Sequence, residues 1–386
     1  MINGFGSLYA GYLDIDDIGF QGTPVNDRAF SNAKIASVFQ KTEAIAQVMD
    51  RVGYKTLWLA EHHFQREGYQ CIPNIPMLGL HLASLTEKIK FGCGFNITPI
   101  WHPLRLAEDF ATVDILTGGR IMFGVGRGYH TREVETFGAP LLDQNANREL
   151  FEEQVDLILR AFNEPSFSHH GKYYDIPPRV NYRGYELKEI TLVPRPLNLP
   201  VECWQPIVSG SPRALEFMAK RGIKGLVGGG AATGGKSKVI QNWRDALERE
   251  GRQTELGGDL VVGMSFHIAR TQNEAIEELK HYYEENLKIL APMGFVPGLS
   301  DKQLQAIGDP ALAPFAGLPT IEDAIESGGW LCGPPDLIVE QLKELERTYP
   351  GLEQVNVNNL MSMPQTMVLE QLEWFASDVM PAFTRD

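Results

Sequence analysis

Eight short apolar segments recur along the chain, and most of them precede a longer stretch with the spacing of an amphipathic helix. Near-continuous apolar strands that alternate with helices are typical of a parallel sheet covered by helices. Eight such units in 386 residues predict an α/β fold, the closed (β/α)8 TIM barrel, with a doubly wound open sheet as the alternative. The segments are FGSLYAG, TLWLA, IKFGCGFNI, RIMFGVG, QPIVSG, IKGLVGG, DLVVGMSFHIA and QVNVNN.

Helical spacing is clearest after the first, seventh and eighth segments. Thr271 and Glu274 predict a capping box that opens the helix after the seventh segment. Pro364 marks the start of the last helix. The predicted buried faces are Val38, Thr42, Ile45, Met49 and Val52 in the first helix, Ala275, Leu279, Tyr282 and Leu290 in the second, and Leu369, Leu372, Phe375 and Val379 in the last.

Two segments do not fit a plain strand–helix unit. Residues 163–206 contain FSHHGKYYDI, which predicts a small hairpin, and then the proline-rich VPRPLNLP. Residues 292–335 are rich in Gly and Pro, and a loop of this length in a compact domain is typical of a lid. We therefore predict one domain over residues 1–386 with insertions at about 163–206 and 292–335.

Charge and cysteine usage narrow the range of partners. The formal net charge of −14 gives a surface that repels nucleic acid phosphates and anionic lipid, so we expect neither partner. No apolar run approaches the length of a membrane span, and the first residues lack the basic region of a signal peptide. The four cysteines form no CxxC pair, which predicts reduced thiols in a cytoplasmic protein.

An acid and two imidazoles stand directly behind the second apolar segment, in WLAEHHF. In a barrel of this kind the chemistry lies at the C-terminal ends of the strands, where Glu61, His62 and His63 emerge. One of the two histidines can face a central ligand as a general base, with Glu61 fixing its tautomer. The structural alternative is that both histidines are hydrogen-bonded strand ends without chemistry. No HExxH is present and adjacent histidines are poorly placed to bind one ion, so we predict no metal site.

Two further strand ends carry features suited to an anion. In RIMFGVGRGYH, Gly126 allows a ligand close to the backbone, and Arg127 offers a planar fork of donors for a phosphate. In IVSGSPRALEF, the turn from Ser209 through Gly210 to Ser211 opens a helix whose free N–H groups form an anion site. The structural alternatives are an ion pair for Arg127 and a simple N-cap for Ser211.

The stretch GAATGGKS, residues 230–237, matches the GxxxxGK[ST] pattern of a nucleotide-binding loop. A nucleotide hydrolase also needs an apolar strand that ends in Asp for magnesium. The next strand, DLVVGMSF, has Asp259 at its start and no acid at its end. A glycine-rich turn is therefore favoured over a nucleotide hydrolase, which stays as an alternative.

Three blocks resemble the bacterial luciferase-like flavin-dependent monooxygenases, and the similarity runs in the same order over nearly the whole chain. The EHHF and HPxRxAED motifs within the blocks are fairly specific to that family. The blocks are TLWLAEHHF, IKFGCGFNITPIWHPLRLAEDFATVDILTGGRIMFGVGRGYHTREVETFG and GPPDLIVEQLKEL.

The resemblance implies a TIM barrel that uses reduced FMN, supplied by a separate flavin reductase, and oxygen to oxidise a small apolar organic substrate. It implies that His62 is catalytic, with Glu61 beside it. A non-proline cis peptide is implied near Gly94 and Phe95, where the flavin ring lies. The implied cofactor-binding residues are Gly94, Phe95, Asn96, Gly126, Arg127, Ser209, Gly210 and Ser211. The resemblance also implies a homodimer formed through helices of the second and third units.

The chain departs from luciferase at two positions. Gly210 replaces a glutamate before the phosphate-loop serine, and Gly126 replaces a cysteine beside the flavin. Two alternatives keep the same fold, namely a deazaflavin-dependent hydride transferase and a non-catalytic flavin-binding protein. Aromatic residues near strand ends are candidates for the substrate pocket. They are Trp101, His102, Trp204, Phe295 and Trp330.

Overall fold

Eight parallel strands close into a barrel in a computed structural model, which describes residues 1–208, 210–233, 237–296 and 298–383. Each strand pairs with the next barrel strand in the sequence, and the last pairs with the first. All eight apolar segments overlap a barrel strand, so the predicted (β/α)8 fold is confirmed. The strands are β1 (Gly4–Tyr9), β2 (Thr56–Leu59), β3 (Lys90–Cys93), β4 (Ile121–Gly126), β5 (Cys203–Pro206), β6 (Lys224–Gly228), β7 (Leu260–Ile268) and β8 (Gln354–Asn358).

Nine longer helices accompany these strands in the described part of the chain. They are α1 (Asn32–Val52), α2 (Ile75–Ser84), α3 (Pro103–Leu116), α4 (Gln144–Asn163), α5 (Pro212–Lys220), α6 (Lys238–Arg249), α7 (Gln272–Leu290), α8 (Pro335–Thr348) and α9 (Gln365–Asp378). Short helical segments occupy Val25–Asp27, Thr98–Ile100, Thr131–Val134, Gly229–Ala232, Ala291–Met293, Asp301–Ala306, Ala313–Phe315, Ile321–Glu326 and Met380–Ala382. Among the described residues, no helix is long and apolar enough to cross a membrane.

Large side chains fill the inside of the barrel, so it is a packed core. Trp58 of β2 meets Trp204 of β5 edge-on, with ring centroids 5.4 Å apart. Trp58 fits because β3 carries Gly92 beside it, where an added Cβ would lie 2.3 Å from the indole. Apolar side chains on the outer faces of the strands pack against the helices and form the second, larger core.

The structure corrects two details predicted for α7, one in its N-terminal cap and one in its buried face. Thr271 accepts a hydrogen bond from the Glu274 amide, as predicted, but the Glu274 carboxylate accepts from the Arg270 amide, so the capping box is only half formed. Tyr283, one turn after Leu279, is buried on the inward face, whereas Tyr282 is only half-buried. The error at Tyr282 arose because adjacent tyrosines differ by only one step in helical phase.

The first inserted segment contains the predicted hairpin, in which His169–His170 pairs antiparallel with Asp175–Ile176. A second antiparallel pair joins Asn181–Tyr182 to Tyr185–Glu186. The predicted end of this insertion was wrong, because its last four residues, Cys203–Pro206, form β5.

The described part of the second inserted segment, predicted as a lid loop, holds three short helical segments and a strand, Trp330–Gly333. This strand pairs with the end of β7, whose nine residues run past the pairing with β8. β7 is thus long enough to pair with two strands along the same edge, β8 and Trp330–Gly333. The apolar pattern of the sequence did not indicate this second pairing.

A buried carboxylate fastens the N-terminal loop to α7. Glu285 is fully buried and accepts hydrogen bonds from the Tyr69 hydroxyl at 2.7 Å and the Gly19 amide at 2.9 Å. Its charge is balanced by Arg28 at 3.1 Å and Lys288 at 2.9 Å. These contacts hold the loop before α1 against the helix that leads to the C-terminal end of the barrel.

Candidate functional site

A cavity of about 570 Å³ opens at the C-terminal ends of β1 to β6. Its size lies within the range of roughly 300–1,000 Å³ typical of small-molecule and cofactor sites. The structure brings eight sequence-predicted residues to its wall. They are Glu61, His62, Gly94, Phe95, Gly126, Arg127, Gly210 and Ser211. Ser209 lies outside the described residues.

A larger depression of about 830 Å³ lies at the opposite end of the barrel. It is lined by loops at the N-terminal ends of the strands and by surface lysines and acids, among them Lys55, Lys90 and Glu353. None of the described residues that were predicted to be catalytic or cofactor-binding lines it, whereas Trp204, a candidate for the substrate pocket, does. Chemistry in this fold class lies at the C-terminal face, so the smaller cavity is the candidate site.

The His62 imidazole is held from both sides. Its Nδ1 lies 3.2 Å and 3.3 Å from the two carboxylate oxygens of Glu133, and its Nε2 lies 3.1 Å from the Tyr129 hydroxyl. Burial alone would raise the pKa of the Glu133 carboxyl, but the hydrogen bond and attraction of His62 outweigh it and lower that pKa. An ionised Glu133 accepts a hydrogen bond from the protonated Nδ1, which leaves Nε2 as the acceptor for the Tyr129 hydroxyl.

The hydrogen-bond chain continues beyond Tyr129. The Gln70 amide donates to the Tyr129 hydroxyl at 2.9 Å, and the Gln70 carbonyl oxygen lies 2.9 Å from Nε2 of His130. Burial raises the pKa of the Tyr129 hydroxyl, so it stays protonated near neutral pH. His62, Gln70 and Tyr129 all line the cavity. This chain of hydrogen bonds can therefore accept or deliver a proton at the cavity wall.

The Glu61 carboxylate makes no hydrogen bond to His62. The residue that fixes the tautomer of His62 is therefore Glu133, and not Glu61 as expected from the sequence. Its oxygens accept hydrogen bonds from the Ile97 amide at 2.6 Å and the Trp101 indole at 2.9 Å, and one lies 3.2 Å from Nε2 of His63. Because successive side chains of an extended segment point in opposite directions, Glu61 and His63 face together and His62 faces away. Glu61 therefore ties the end of β2 to the segment after β3.

His130 gives the folded state a pH dependence. Burial lowers its pKa from the usual 6.5 to about 4, so between these values the unfolded chain binds the proton and the folded chain does not. Stability should therefore fall as the pH is lowered through this window. Between pH 7 and pH 4 the free energy of unfolding should fall in both proteins. We expect the fall in His130→Gln to be about 1–2 kcal/mol smaller than in wild type, as measured by urea unfolding. Parallel stability curves for the two proteins would contradict this assignment.

The opposite end of the cavity is cationic. Arg127 donates to Gln144 through Nη2 at 3.0 Å, but its Nη1 is buried and has no partner among the described residues. Burial, together with the nearby charges of Arg148 and Arg213, lowers the pKa of Arg127. Arg148 also lines the cavity. A buried donor beside like charges favours an anionic ligand at this end.

Helix α5 points its N-terminus at the same cavity. Ser211 is the N-cap but its side chain makes no capping hydrogen bond, and Pro212 occupies the first turn. Gly210 has φ of +60°, a left-handed conformation that suits glycine. The first amides of α5 are thus available to an anion, supported by the helix dipole.

The segment after β3 forms the wall between the two ends. The peptide bond between Gly94 and Phe95 is cis, at the position that the resemblance implied. Asn96 does not line the cavity. Its side-chain amide donates instead to the Gly124 carbonyl at 2.9 Å, and the residue is fully buried. The structure therefore places the Asn96 side chain within the barrel wall, next to but not among the residues that line the cavity.

Most of the aromatic candidates lie elsewhere. Phe295 lines the cavity, where its ring meets Tyr129 edge-on at 4.7 Å. Trp204 fills the barrel interior, and Trp330 packs on Tyr283 at 5.4 Å. The cavity wall is mainly apolar, and its other large apolar side chains include Phe151, Phe217, Met218 and Leu290.

The phosphate-loop-like stretch is not part of this site. Gly229–Ala232 forms a short helix, and Ser237 caps α6 by accepting from the Ile240 amide. Residues 234–236 lie outside the described residues. Neither Gly230 nor Ser237 lines the cavity.

A family model described as a luciferase-like monooxygenase matches residues 24–350 of this chain. The chain belongs to this family. Family membership makes the protein an oxidoreductase. The structure thus confirms the predicted fold, and the family model confirms the broad class of reaction.

Three proteins illustrate the similarity to luciferase-like monooxygenases. Limonene 1,2-monooxygenase of Rhodococcus erythropolis is 25% identical over 371 residues, which cover 93% of this chain and 84% of the relative. The oxygenase component of the flavin-dependent trigonelline monooxygenase of Acinetobacter baylyi is 28% identical over 180 residues, or 46% of this chain and 45% of the relative. The oxygenating constituent of the 3,6-diketocamphane monooxygenase of Pseudomonas putida, solved with FMN, has a TM-score of 0.72 at 19% identity over 99% of both chains.

Sequence reasoning missed several residues of this luciferase-like site, among them Glu133 and His130. Glu133 lies 71 positions from His62 and reaches it only because the loop after β4 folds back over the end of β2. His130, three positions before Glu133, joins the same cluster, and their ligand atoms and that of His62 lie within 4.8 Å of one another. One cation would fit there geometrically, although no metal was predicted. The hydrogen bonds described above account for the arrangement without one.

Proposed function

We propose that this luciferase-like monooxygenase binds FMN in the C-terminal cavity, receives it in reduced form from a separate flavin reductase, and uses O2 to oxidise a small apolar organic substrate. The observation that carries the proposal is that one cavity joins two chemically different ends. One end has a guanidinium and a helix N-terminus. The other has an imidazole held in a hydrogen-bond chain. An elongated ligand with an anionic group and a reactive ring fits this division.

The residues present fit a phosphorylated flavin. Arg127 has a buried donor without a partner, and the first amides of α5 behind Ser211 are free for a second set of hydrogen bonds. Gly126 and Gly94 keep the wall thin, since an added Cβ at either would lie 3.2 Å from a neighbouring side chain. We assign the phosphate to Arg127, Gly210 and Ser211, with Ser209 added as the family resemblance implies, and the ring to the Gly94–Phe95 segment.

Reduced flavin, when bound, supplies the electrons that activate oxygen. The chain's own residues do the rest. Glu133 fixes the proton on Nδ1 of His62, so that Nε2 and the Tyr129 hydroxyl can exchange a proton with a group bound at the cavity wall. The apolar wall, including Phe295, keeps water from the reacting centre. His62 is thus the catalytic residue, and Glu133 and Glu61 are positioning residues.

The relatives support the finer parts of the proposal. Limonene is an apolar hydrocarbon, which agrees with the apolar lining of this cavity. The term "oxygenase component" in the trigonelline enzyme implies a second component in that system, and we extend this to a reductase partner here. FMN in the diketocamphane enzyme agrees with FMN as the proposed cofactor, and an F420-dependent secondary alcohol dehydrogenase of the same fold represents the deazaflavin alternative.

A homodimer through the second and third units is part of the proposal. Met77 of α2 and Ile115 and Leu116 of α3 are exposed apolar side chains on adjacent helices. Burying them against a second copy would remove apolar surface from water. Light scattering should give twice the mass of one chain, and a monomer at micromolar concentration would refute this part.

Two measurements test the proposed function. The protein should quench the fluorescence of FMN in a saturable titration, with a dissociation constant of about ten micromolar or below. Reduced FMN should then support oxygen-dependent conversion of an apolar probe such as limonene. Reduction of a substrate by a reduced deazaflavin, without oxygen uptake, would favour the hydride transferase. Tight FMN binding without any turnover across a substrate panel would favour a non-catalytic flavin protein, and magnesium-dependent ATP binding without flavin binding would favour the nucleotide hydrolase.

A further inference from the structure

Gln205 of β5 is a buried amide without a hydrogen-bond partner. The residue is 8% exposed and lines the C-terminal cavity. Its Oε1 is enclosed and accepts no hydrogen bond, and its Nε2 donates none to any described residue. A buried amide left without partners costs free energy, so such a group in a cavity wall indicates a ligand or a bound water.

The side chains of the other buried glutamines each make at least two hydrogen bonds, although Oε1 of Gln154, like that of Gln205, is buried without a partner among the described residues. Gln70 bonds Tyr129 and His130, and Gln371 bonds both the amide and the carbonyl of Ile268. Gln154 donates to the Trp101 carbonyl and the Tyr174 hydroxyl. Gln205 therefore stands apart among the buried glutamines that the structure describes, and it is also one of the two that line the cavity, with Gln70.

The strand register places Gln205 between β4 and β6, beside the end of β4 that precedes Arg127. Trp204 pairs with Gly124 of β4. The next residue, Gln205, therefore lies alongside the last residues of β4, just before Arg127. On its other side Gln205 pairs with Gly225 of β6. The same strand β5 leads directly to Gly210 and Ser211 at the start of α5. Gln205 therefore lines the cavity close in sequence and register to Arg127 and to the start of α5, where the anionic group of the ligand is assigned.

We infer that Gln205 binds the hydroxyl groups of the polyol chain that joins the phosphate of a flavin to its ring. This rests on the proposed function and deepens it. An amide offers one acceptor and two donors, and a polyol hydroxyl can donate and accept, so the two are complementary whichever way the amide is turned. The ring of a flavin and its phosphate do not need such a group at this point. A glutamine there selects ligands with a hydroxylated linker.

The test compares three ligands that differ in one part each. FMN has the ring, the polyol and the phosphate; riboflavin lacks the phosphate; lumiflavin lacks both phosphate and polyol. Gln205→Met keeps the length of the side chain and removes its polar atoms. We expect Gln205→Met to weaken FMN and riboflavin by the same factor, about tenfold, and to leave lumiflavin within about twofold. Binding is measured by flavin fluorescence.

Gln154→Met is the matched control, because Gln154 is an equally buried glutamine that does not line the cavity. It should change the three dissociation constants equally or not at all. If Gln205→Met unfolds, Gln205→Asn, which keeps the amide but shortens its reach, is expected to show the same ligand pattern. Melting temperatures of all variants accompany the titrations.

The outcomes separate this inference from the proposed function. Equal losses for all three ligands, or no loss for any, would overturn the assignment of Gln205 and point to a bound water as its partner. A wild-type protein that binds none of the three flavins would refute the proposed function instead.

Discussion

Replacing Arg127 with alanine is expected to weaken FMN binding about 50-fold and riboflavin binding by no more than about twofold, because only FMN carries the phosphate that the guanidinium would bind. The expectation follows from the buried Nη1 of Arg127, which has no partner in the described part of the chain. Fluorescence titrations with both ligands measure the two losses.

Arg120→Ala is the matched control for this experiment. Arg120 lies at the N-terminal end of the same strand, β4, is half-buried like Arg127, and donates to Thr86 and to backbone carbonyls outside the cavity. It should lower stability without changing the ratio of FMN to riboflavin affinity. Equal losses of FMN and riboflavin in Arg127→Ala would refute a phosphate at this end of the cavity.

Replacing His62 with alanine is expected to leave the FMN dissociation constant within a few-fold of wild type and to lower turnover about 1,000-fold, because general acid–base groups contribute roughly 10²–10⁴ in rate. The physical reason is the loss of Nε2, the acceptor for the Tyr129 hydroxyl at the cavity wall. Single-turnover kinetics with pre-reduced FMN measure the effect without interference from a reductase.

His169→Ala is the control, since His169 forms a similar imidazole–carboxylate pair with Glu153 at 3.1 Å but does not line the cavity. It should leave turnover unchanged. Glu133→Gln should fall between the control and His62→Ala, because glutamine still accepts from Nδ1 but carries no charge. An unchanged rate in His62→Ala would remove His62 from the catalytic role.

The fold could be predicted because its signal is repeated and local. Each strand is a short apolar run, and the order of eight runs defines the closure of β8 on β1. The errors lie where the signal is not local. The pairing of Trp330–Gly333 with β7 depends on the length of β7 beyond its neighbours, and the choice between Tyr282 and Tyr283 depends on one step of helical phase.

The site was predictable where a residue follows its strand directly. His62, Gly94 and Arg127 each lie within three residues of a strand end, so the barrel topology brings them to one face. Glu133 and Gln205 could not be found in the same way. Glu133 reaches His62 through the fold of a loop, and the importance of Gln205 lies in hydrogen bonds it does not make, which no sequence pattern reveals.

The most direct test of the account is a crystal structure of the protein with FMN. The account predicts the phosphate against Arg127 and the first amides of α5, and the ring against the Gly94–Phe95 segment within reach of His62. FMN bound at the depression around Lys55 and Lys90, or with its phosphate at the His62 end of the C-terminal cavity, would contradict it.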